Sequence, residues 1–289
     1  MNVAAETSAD EAAGRSQRLR DRLLIVALYL ATRVVTVVGF AVARVRHPQG
    51  PWSATFGLLD GGYYLRIAAH GYPSVLPPRG GTIPFSAAFF PLFPMVVRFG
   101  HAATGLSPVW TAVVLSMAGG LAATLLLEQL LVATLDAGVA RRTTIIFAVF
   151  PGAVVFSLAY AEGLMMLFIV ACLLALVRER WLLAGVLGAA ATATRAIAVA
   201  LVFAAGYAVW VAWREHRDRK ALLTPGLISL GFLASIGYQW WLTGEPRAWF
   251  IVQDRGWNQQ IDFGYRFVAP FIHPSQLLEP KPLARTSAL

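Results

Sequence analysis

Two apolar runs, 143–177 and 181–213, constrain this chain more than anything else in it. A helix that crosses a bilayer needs ~20 apolar residues. Each run is too long for one such helix and too short for two full ones. Each also carries a polar break near its middle: Ala159-Tyr160-Ala161-Glu162-Gly163 in the first, Thr192-Ala193-Thr194-Arg195 in the second. The pattern predicts two hairpins of short helices that turn at those breaks, with Glu162 and Arg195 in the turns.

The rest of the chain agrees with a membrane environment. Charged residues make up 13% of it and hydrophobic residues 57%, against ~25% charged in a soluble domain. The net charge of +9 comes almost wholly from arginine, since Lys220 and Lys281 are the only lysines. In a soluble protein that balance would point to nucleic acid. Here the basic residues sit in short segments beside apolar runs, where they set membrane orientation instead. The single Cys172 lies in an apolar run and reads as core filler. The five histidines have no metal-ligand spacing. No P-loop, dinucleotide fingerprint, HExxH or nucleophile elbow is present.

In chain order, residues 1–22 read as a disordered cytoplasmic N-terminus, small and acidic at first and then arginine-rich. An uncleaved first span over 23–43 follows, interrupted by Arg33, which needs a partner or a water-filled face. Residues 44–88 form a long external loop, with a short helix over 61–70 that Asp60 caps and Gly71 and Pro73 end. Residues 85–105 read as an interfacial segment, 109–135 as a span and 222–242 as the last span. Residues 243–289 are then an external C-terminal segment. The hairpin reading puts Arg141/Arg142, Arg178/Arg180 and the basic run 214–220 all on the cytoplasmic side, as the positive-inside rule requires. The expected fold is an all-α polytopic membrane protein of about seven transmembrane helices, spanning 23–242, in a plasma membrane.

That topology brings Asp60, Glu162, Arg195 and the segment around Gln253 and Trp257 to one external face. Ionisable groups at the membrane edge are costly and by default mark function. Asp60 reads as a general base for an attacking hydroxyl, with Gly61 and Gly62 leaving room for a substrate; as a plain helix cap it needs no chemistry. Arg66 and His70 are four apart and share a helix face. They suit a phosphate, or equally an interfacial helix with snorkelling cations. Tyr63, Tyr64, Phe89 and Phe90 could stack on a sugar or form an aromatic belt. Glu162 and Arg195 read either as substrate ligands or as a structural ion pair.

Four stretches together carry a resemblance. They are Asp60-Gly61-Gly62-Tyr63-Tyr64-Leu65-Arg66-Ile67-Ala68 with His70-Gly71-Tyr72-Pro73, and Ala88-Phe89-Phe90-Pro91-Leu92-Phe93-Pro94. The others are Phe150-Pro151-Gly152 with Ala159-Tyr160-Ala161-Glu162, and Thr243-Gly244-Glu245-Pro246 with Trp249-Phe250, Gln253 and Gly256-Trp257. In these the chain resembles the PIG-V-type mannosyltransferases of the GT-C glycosyltransferase superfamily. It departs from them at Leu59, where a tryptophan is expected, and at Ala161, where a serine often precedes the glutamate. The resemblance implies a GT-C-like helical bundle and a polyprenyl-phosphate sugar donor, usually of mannose. It implies transfer with inversion to a glycolipid, glycan or protein hydroxyl outside the membrane, and Asp60 as the base. Arg195, with Arg66 or His70, would then hold the donor phosphate. No metal or cofactor is implied. It further implies spans beyond residue 289, so the expectation includes a shortened C-terminus. A transporter or flippase of a lipid-linked substrate is a second reading, although no inverted internal repeat is visible. An inactive truncated relative is a third.

Overall fold

The computed structural model describes residues 2–46, 50–78, 85–215, 217–257, 259 and 264–272. Among these every regular element is helical. Helix α1 is Asn2–Arg46, α2 is Trp52–Phe56, α3 is Asp60–His70, α4 is Leu92–Thr104 and α5 is Pro108–Thr134. Then come α6, Ala137–Val149, α7, Glu162–Val177, α8, Trp181–Thr194, α9, Leu201–Glu215, and α10, Thr224–Thr243. Helices α11, Ala248–Trp257, and α12, Tyr265–Ile272, complete the order.

The molecule is a helical membrane protein. Four stretches are long and apolar enough to cross a bilayer: Leu19–Arg46, Pro108–Thr134, Ala196–Glu215 and Ala221–Thr243. A fifth is possible if α6 and the 3-10 segment Pro151–Ser157, bent by 63° between them, form one span. Their surfaces explain why water is the wrong solvent. Val34, Val35, Val38 and Val42 of α1 are exposed, as are Phe203 and Tyr207 of α9. Apolar faces this extensive are stable against lipid, because every backbone group is satisfied inside its own helix.

Both expected breaks are present. The first run divides between α6 with its 3-10 extension and α7, which begins at Glu162. The second divides at Arg195, an extended residue between α8 and the 3-10 segment Ala196–Ala200. Helices α7 and α8 have 16 and 14 residues, or roughly 24 and 21 Å at 1.5 Å per residue. The hydrocarbon core is ~30 Å thick. By length alone, neither crosses it.

Two expectations are corrected. The stretch 1–22 was expected to be disordered, but α1 is helical from Asn2, continuous with the first span. Asp60 does not cap its helix: Leu59 holds the cap position, with no side-chain cap bond, and Asp60 is the first helical residue. Its carboxylate faces a guanidinium instead, which outcompetes neutral backbone amides as a partner.

Helices α5, α7, α8 and α10 form the packed centre. Small residues set how closely they approach. A Cβ on Gly163 of α7 would run into the Ser116 carbonyl of α5, and one on Gly231 of α10 would run into the Ala189 carbonyl of α8. Helix α1 packs on α6 and the Pro151–Ser157 segment. Helices α3 and α4 lie beside the start of α7, with Tyr64, Ile67, Phe89, Phe93, Ala159 and Leu164 in one buried cluster.

Candidate functional site

Three distant charges meet where α7 begins and α8 ends. Arg195 Nη1 donates to Glu162 Oε1, and Nη2 lies 3.5 Å from Asp60 Oδ2. The side chains are 30% exposed at Arg195, 33% at Asp60 and 21% at Glu162. The cluster is therefore neither dry nor freely solvated. Two carboxylates share one guanidinium, so the group carries a net charge of about −1 with both acids ionised. Glu162 Oε2 is buried and has no hydrogen-bond partner among the described residues. A buried acceptor left unsatisfied costs ~1–3 kcal/mol, and a ligand hydroxyl placed there would recover it.

Local sequence explains how each charge is aimed. Asp60 and Tyr64 are one turn apart and share a face of α3. Tyr64 is 1% exposed, packed edge-on to Phe89 and Phe93. Its burial fixes the rotation of α3 and turns Asp60 toward Arg195. The chain before α7 is tied down by the Ala159 amide donating to the Phe56 carbonyl at 2.8 Å. Gly61 is buried against this segment, where a Cβ would lie 3.4 Å from the Ala159 carbonyl oxygen. Gly61, expected to leave room for a substrate, does not line the cavity and instead faces the Ala159 and Phe56 carbonyls and the Tyr160 ring at van der Waals distance.

The charges open on a cavity of about 490 Å3, within the usual range for small-molecule sites. Asp60, Tyr64, Phe89, Phe90, Glu162, Arg195, Gln253 and Trp257 all line it. Its far wall is α11, which is hydrogen-bonded to the chain between α3 and α4 through Trp249 and Arg255. Trp249 Nε1 donates to the Ala88 carbonyl at 3.3 Å, and Arg255 Nη1 to the Pro77 carbonyl at 3.0 Å. Tyr63 stands one layer behind, stacked on Phe89 at 4.7 Å and 5.9 Å from Trp257. Phe89 and Trp257 are 5.8 Å apart.

The phenols around the site are held neutral. Burial raises Tyr64 above the usual tyrosine range, with Arg195 opposing and Glu162 and Asp60 adding. Burial and then the Asp60 charge raise Tyr160. Burial also raises Tyr63, against the pull of Arg66. These groups remain hydrogen-bond donors near the two carboxylates across the ordinary pH range.

Of the residues expected at the site, Arg66 and His70 are placed elsewhere. They do share a face of α3, but it is the exposed one, and neither lines the cavity. The buried stripe Tyr64, Ile67 and Ala68 takes the core-facing side and leaves Arg66 and His70 the opposite one. Sequence reading missed Ala88, Trp249, Met165, Ala196, Ile197 and Gln259 in the lining. Trp249 had a signal, being an aromatic four residues before Gln253 and so on its face. Ala196 and Ile197 had one too, as neighbours of Arg195. Met165 had none, being one apolar residue in an apolar helix.

Among the described residues, no three His, Cys, Asp or Glu side chains converge as a metal site would require. No family model, no curated protein and no solved structure matches the chain.

Proposed function

We propose that the protein is a GT-C-type glycosyltransferase that moves a mannosyl group from a polyprenyl-phosphate donor to an acceptor hydroxyl. The observation that carries this reading is the convergence of Asp60, Glu162 and Arg195 on one aromatic-walled cavity from three separate parts of the chain. Carboxylate, guanidinium and aromatic faces are the groups that a sugar phosphate and an attacking hydroxyl need.

In this reading α7, α8 and the bent pair of α6 with Pro151–Ser157 join the four long helices to give seven spans. The breaks at Glu162 and Arg195 then face the outside of a plasma membrane, with the N-terminus in the cytoplasm. Short helices are tolerated there because the bilayer thins around them and because α7 and α8 are flanked by other helices.

The chemistry follows from the charges. Asp60 takes the proton of the acceptor hydroxyl, whose oxygen attacks the anomeric carbon as the carbon–phosphate oxygen bond breaks. The phosphate leaves with the electron pair, so the configuration inverts. Arg195 is the cation of the cavity and receives the phosphate charge. Its contact to Asp60, at 3.5 Å, is the longer of its two carboxylate contacts and is the one the phosphate replaces. That exchange releases Asp60 to act as base, while Glu162 keeps the guanidinium oriented. The aromatic wall of Phe89 and Trp257 lies against the sugar.

The test is transfer from polyprenyl-phosphate mannose in membranes that contain either the natural chain or Asp60→Asn. Loss of ~10²–10⁴ in rate is expected for removal of a general base. Full activity in Asp60→Asn would exclude Asp60 as base, and no mannosyl transfer by the natural chain to any lipid, glycan or peptide hydroxyl would overturn the reading.

A further inference from the structure

The basic surfaces of the molecule are not alike. Where α1, α5 and α6 meet, Arg22 pairs with Glu128 at 3.0 Å and Arg141 with Asp21 at 3.4 Å. At the end where α7 turns into α8 and α9 into α10, Arg178, Arg180, Arg217, Arg219 and Lys220 are exposed, and none has a carboxylate partner among the described residues. Orientation in a membrane needs cations near a helix end. It does not need them gathered and left unpaired.

The sequence builds this end from two short turns. Arg178-Glu179-Arg180 joins α7 to α8, and 216–220 joins α9 to the 3-10 segment Ala221–Leu223 ahead of α10. In the first turn the Glu179 amide donates to the Leu176 carbonyl at 3.0 Å and the Arg180 amide to the Ala175 carbonyl at 2.8 Å. This double closure usually has glycine at its left-handed position; here that residue is Glu179, at φ +55°. Arg217, at φ +51°, takes the same conformation in the second turn. Leu59, beside Asp60, is the only other non-glycine residue of positive φ among the described residues. Such strain persists where surrounding contacts over-determine the backbone, and it concentrates at functional positions.

The contacts that hold it run between the two turns. Trp181 is buried, and its Nε1 donates to Asp218 Oδ2 at 2.8 Å. The Lys220 amide donates to Asp218 Oδ1 at 2.9 Å, and Thr224 Oγ1 to the Trp181 carbonyl at 3.2 Å. Asp218 is therefore engaged by neutral donors, and the cations on either side of it keep their charge for something outside the chain. The level of the turns says what that is. The apolar stretch Ala196–Glu215 ends, and Ala221–Thr243 begins, at the second turn. Trp210 and Trp213 are exposed near the end of α9, with Arg214 over the Trp210 ring at 4.4 Å; such residues mark headgroup level. Val177, Leu182, Leu222 and Leu223, which flank the turns, are exposed as well.

We propose that the α7–α8 and α9–α10 turns form one site for the headgroup of an anionic glycerophospholipid. Arg178, Arg180, Arg219 and Lys220 hold the phosphate, and the acyl chains lie against the flanking leucines and valine. A nucleic acid or a soluble acidic protein needs cations that project into water, and turns this short hold theirs beside exposed apolar side chains. The site shares no residue with the lining of the transfer cavity, so neither reading depends on the other.

The experiment is competitive lipid binding to the purified full chain in detergent, read by native mass spectrometry, with dioleoyl phosphatidylglycerol against dioleoyl phosphatidylcholine. The two share their acyl chains and a phosphate and differ in net charge. The anionic lipid should be preferred by at least ~10-fold. Arg178→Gln with Arg180→Gln and Arg219→Gln should bring that preference below about threefold. Arg46→Gln with Arg98→Gln and Arg247→Gln, which removes as many exposed cations elsewhere, should leave it unchanged. Trp181→Phe keeps the net charge but releases Asp218 toward the headgroup, and should lower the preference by roughly threefold. Equal binding of the two lipids would overturn the proposal. So would an equal loss in both triple variants, which would mean bulk charge rather than a site, or an unchanged preference in Trp181→Phe; the triple variants decide the case in which Trp181→Phe does not fold. Displacement of the lipid by equimolar glycerol phosphate or by a single-stranded oligonucleotide would also overturn it, assigning the surface to a free anion or to a nucleic acid.

Discussion

Arg195 bonds to Glu162 across 33 residues of sequence, and this one contact ties the end of α8 to the start of α7. It closes the end of two short helices that also pack against each other in the buried core and are linked at Arg178–Arg180. The contact is partly solvated, so its net contribution is smaller than that of a buried pair. Its removal in Arg195→Met leaves two carboxylates facing each other without a cation. We expect a loss of ~1–3 kcal/mol in stability, and partial recovery when Glu162→Gln is added. Thermal unfolding of the single and double variants in detergent measures this, and strict additivity would show that the pair does not couple.

Arg66 and His70 provide the sharpest discrimination between sequence and structure. Both lie on the exposed face of α3. Arg66→Ala and His70→Ala should each leave transfer activity within about twofold, because neither side chain touches the cavity. A hundredfold loss in either would place the donor phosphate on the other side of α3.

The aromatic wall should act on binding more than on chemistry. Trp257 packs against Tyr63, Phe85 and Phe89, so Trp257→Ala removes one wall and loosens another. A stacked aromatic contact is worth ~0.5–1.5 kcal/mol, which corresponds to a rise of a few-fold to about tenfold in the donor KM. The check is KM and kcat measured separately; a pure kcat effect would assign Trp257 a different role.

Leu59 is a strained residue in front of Asp60. Its φ of +51° with ψ of −120° is a conformation that side chains rarely adopt, costing ~1–3 kcal/mol. The side chain is 71% exposed, so little packing is lost when it is removed. Leu59→Gly should raise the unfolding temperature and lower activity, since the strain holds Asp60 at the helix start. Thermal unfolding and transfer rate together test this; a lowered unfolding temperature would contradict it.

Close packing at Gly163 gives a stability prediction independent of function. Gly163→Ala places a methyl group against the Ser116 carbonyl, and neither backbone can yield without moving α5 from α7. Overpacking of this kind costs ~1–3 kcal/mol. Unfolding in detergent should show it, with Gly206→Ala, which meets nothing within 4 Å, as the neutral comparison.

The sequence by itself determined the long apolar helices and where the two longest runs break. Apolar run length and the polar residues at Glu162 and Arg195 are local properties, and the structure begins α7 at Glu162 and breaks the second run at Arg195. The same local logic found α3 and its end at Gly71, and the chemistry of Asp60, Glu162 and Arg195 was legible as charge in an apolar chain. Which charges meet was not legible. Helical periodicity showed that Arg66 and His70 share one face of α3. It did not say which face turns inward. That was decided by the fit of Tyr64 against Phe89 and Phe93, contacts between residues far apart in the chain. Arg33 shows the same division: its sequence position demanded a partner, and only the packing of α1 against the Pro151–Ser157 segment revealed that the protein gives it a carbonyl and an aromatic ring, but no carboxylate among the described residues. Burial is a property of neighbours in space, and a local pattern fixes an element without fixing what packs against it.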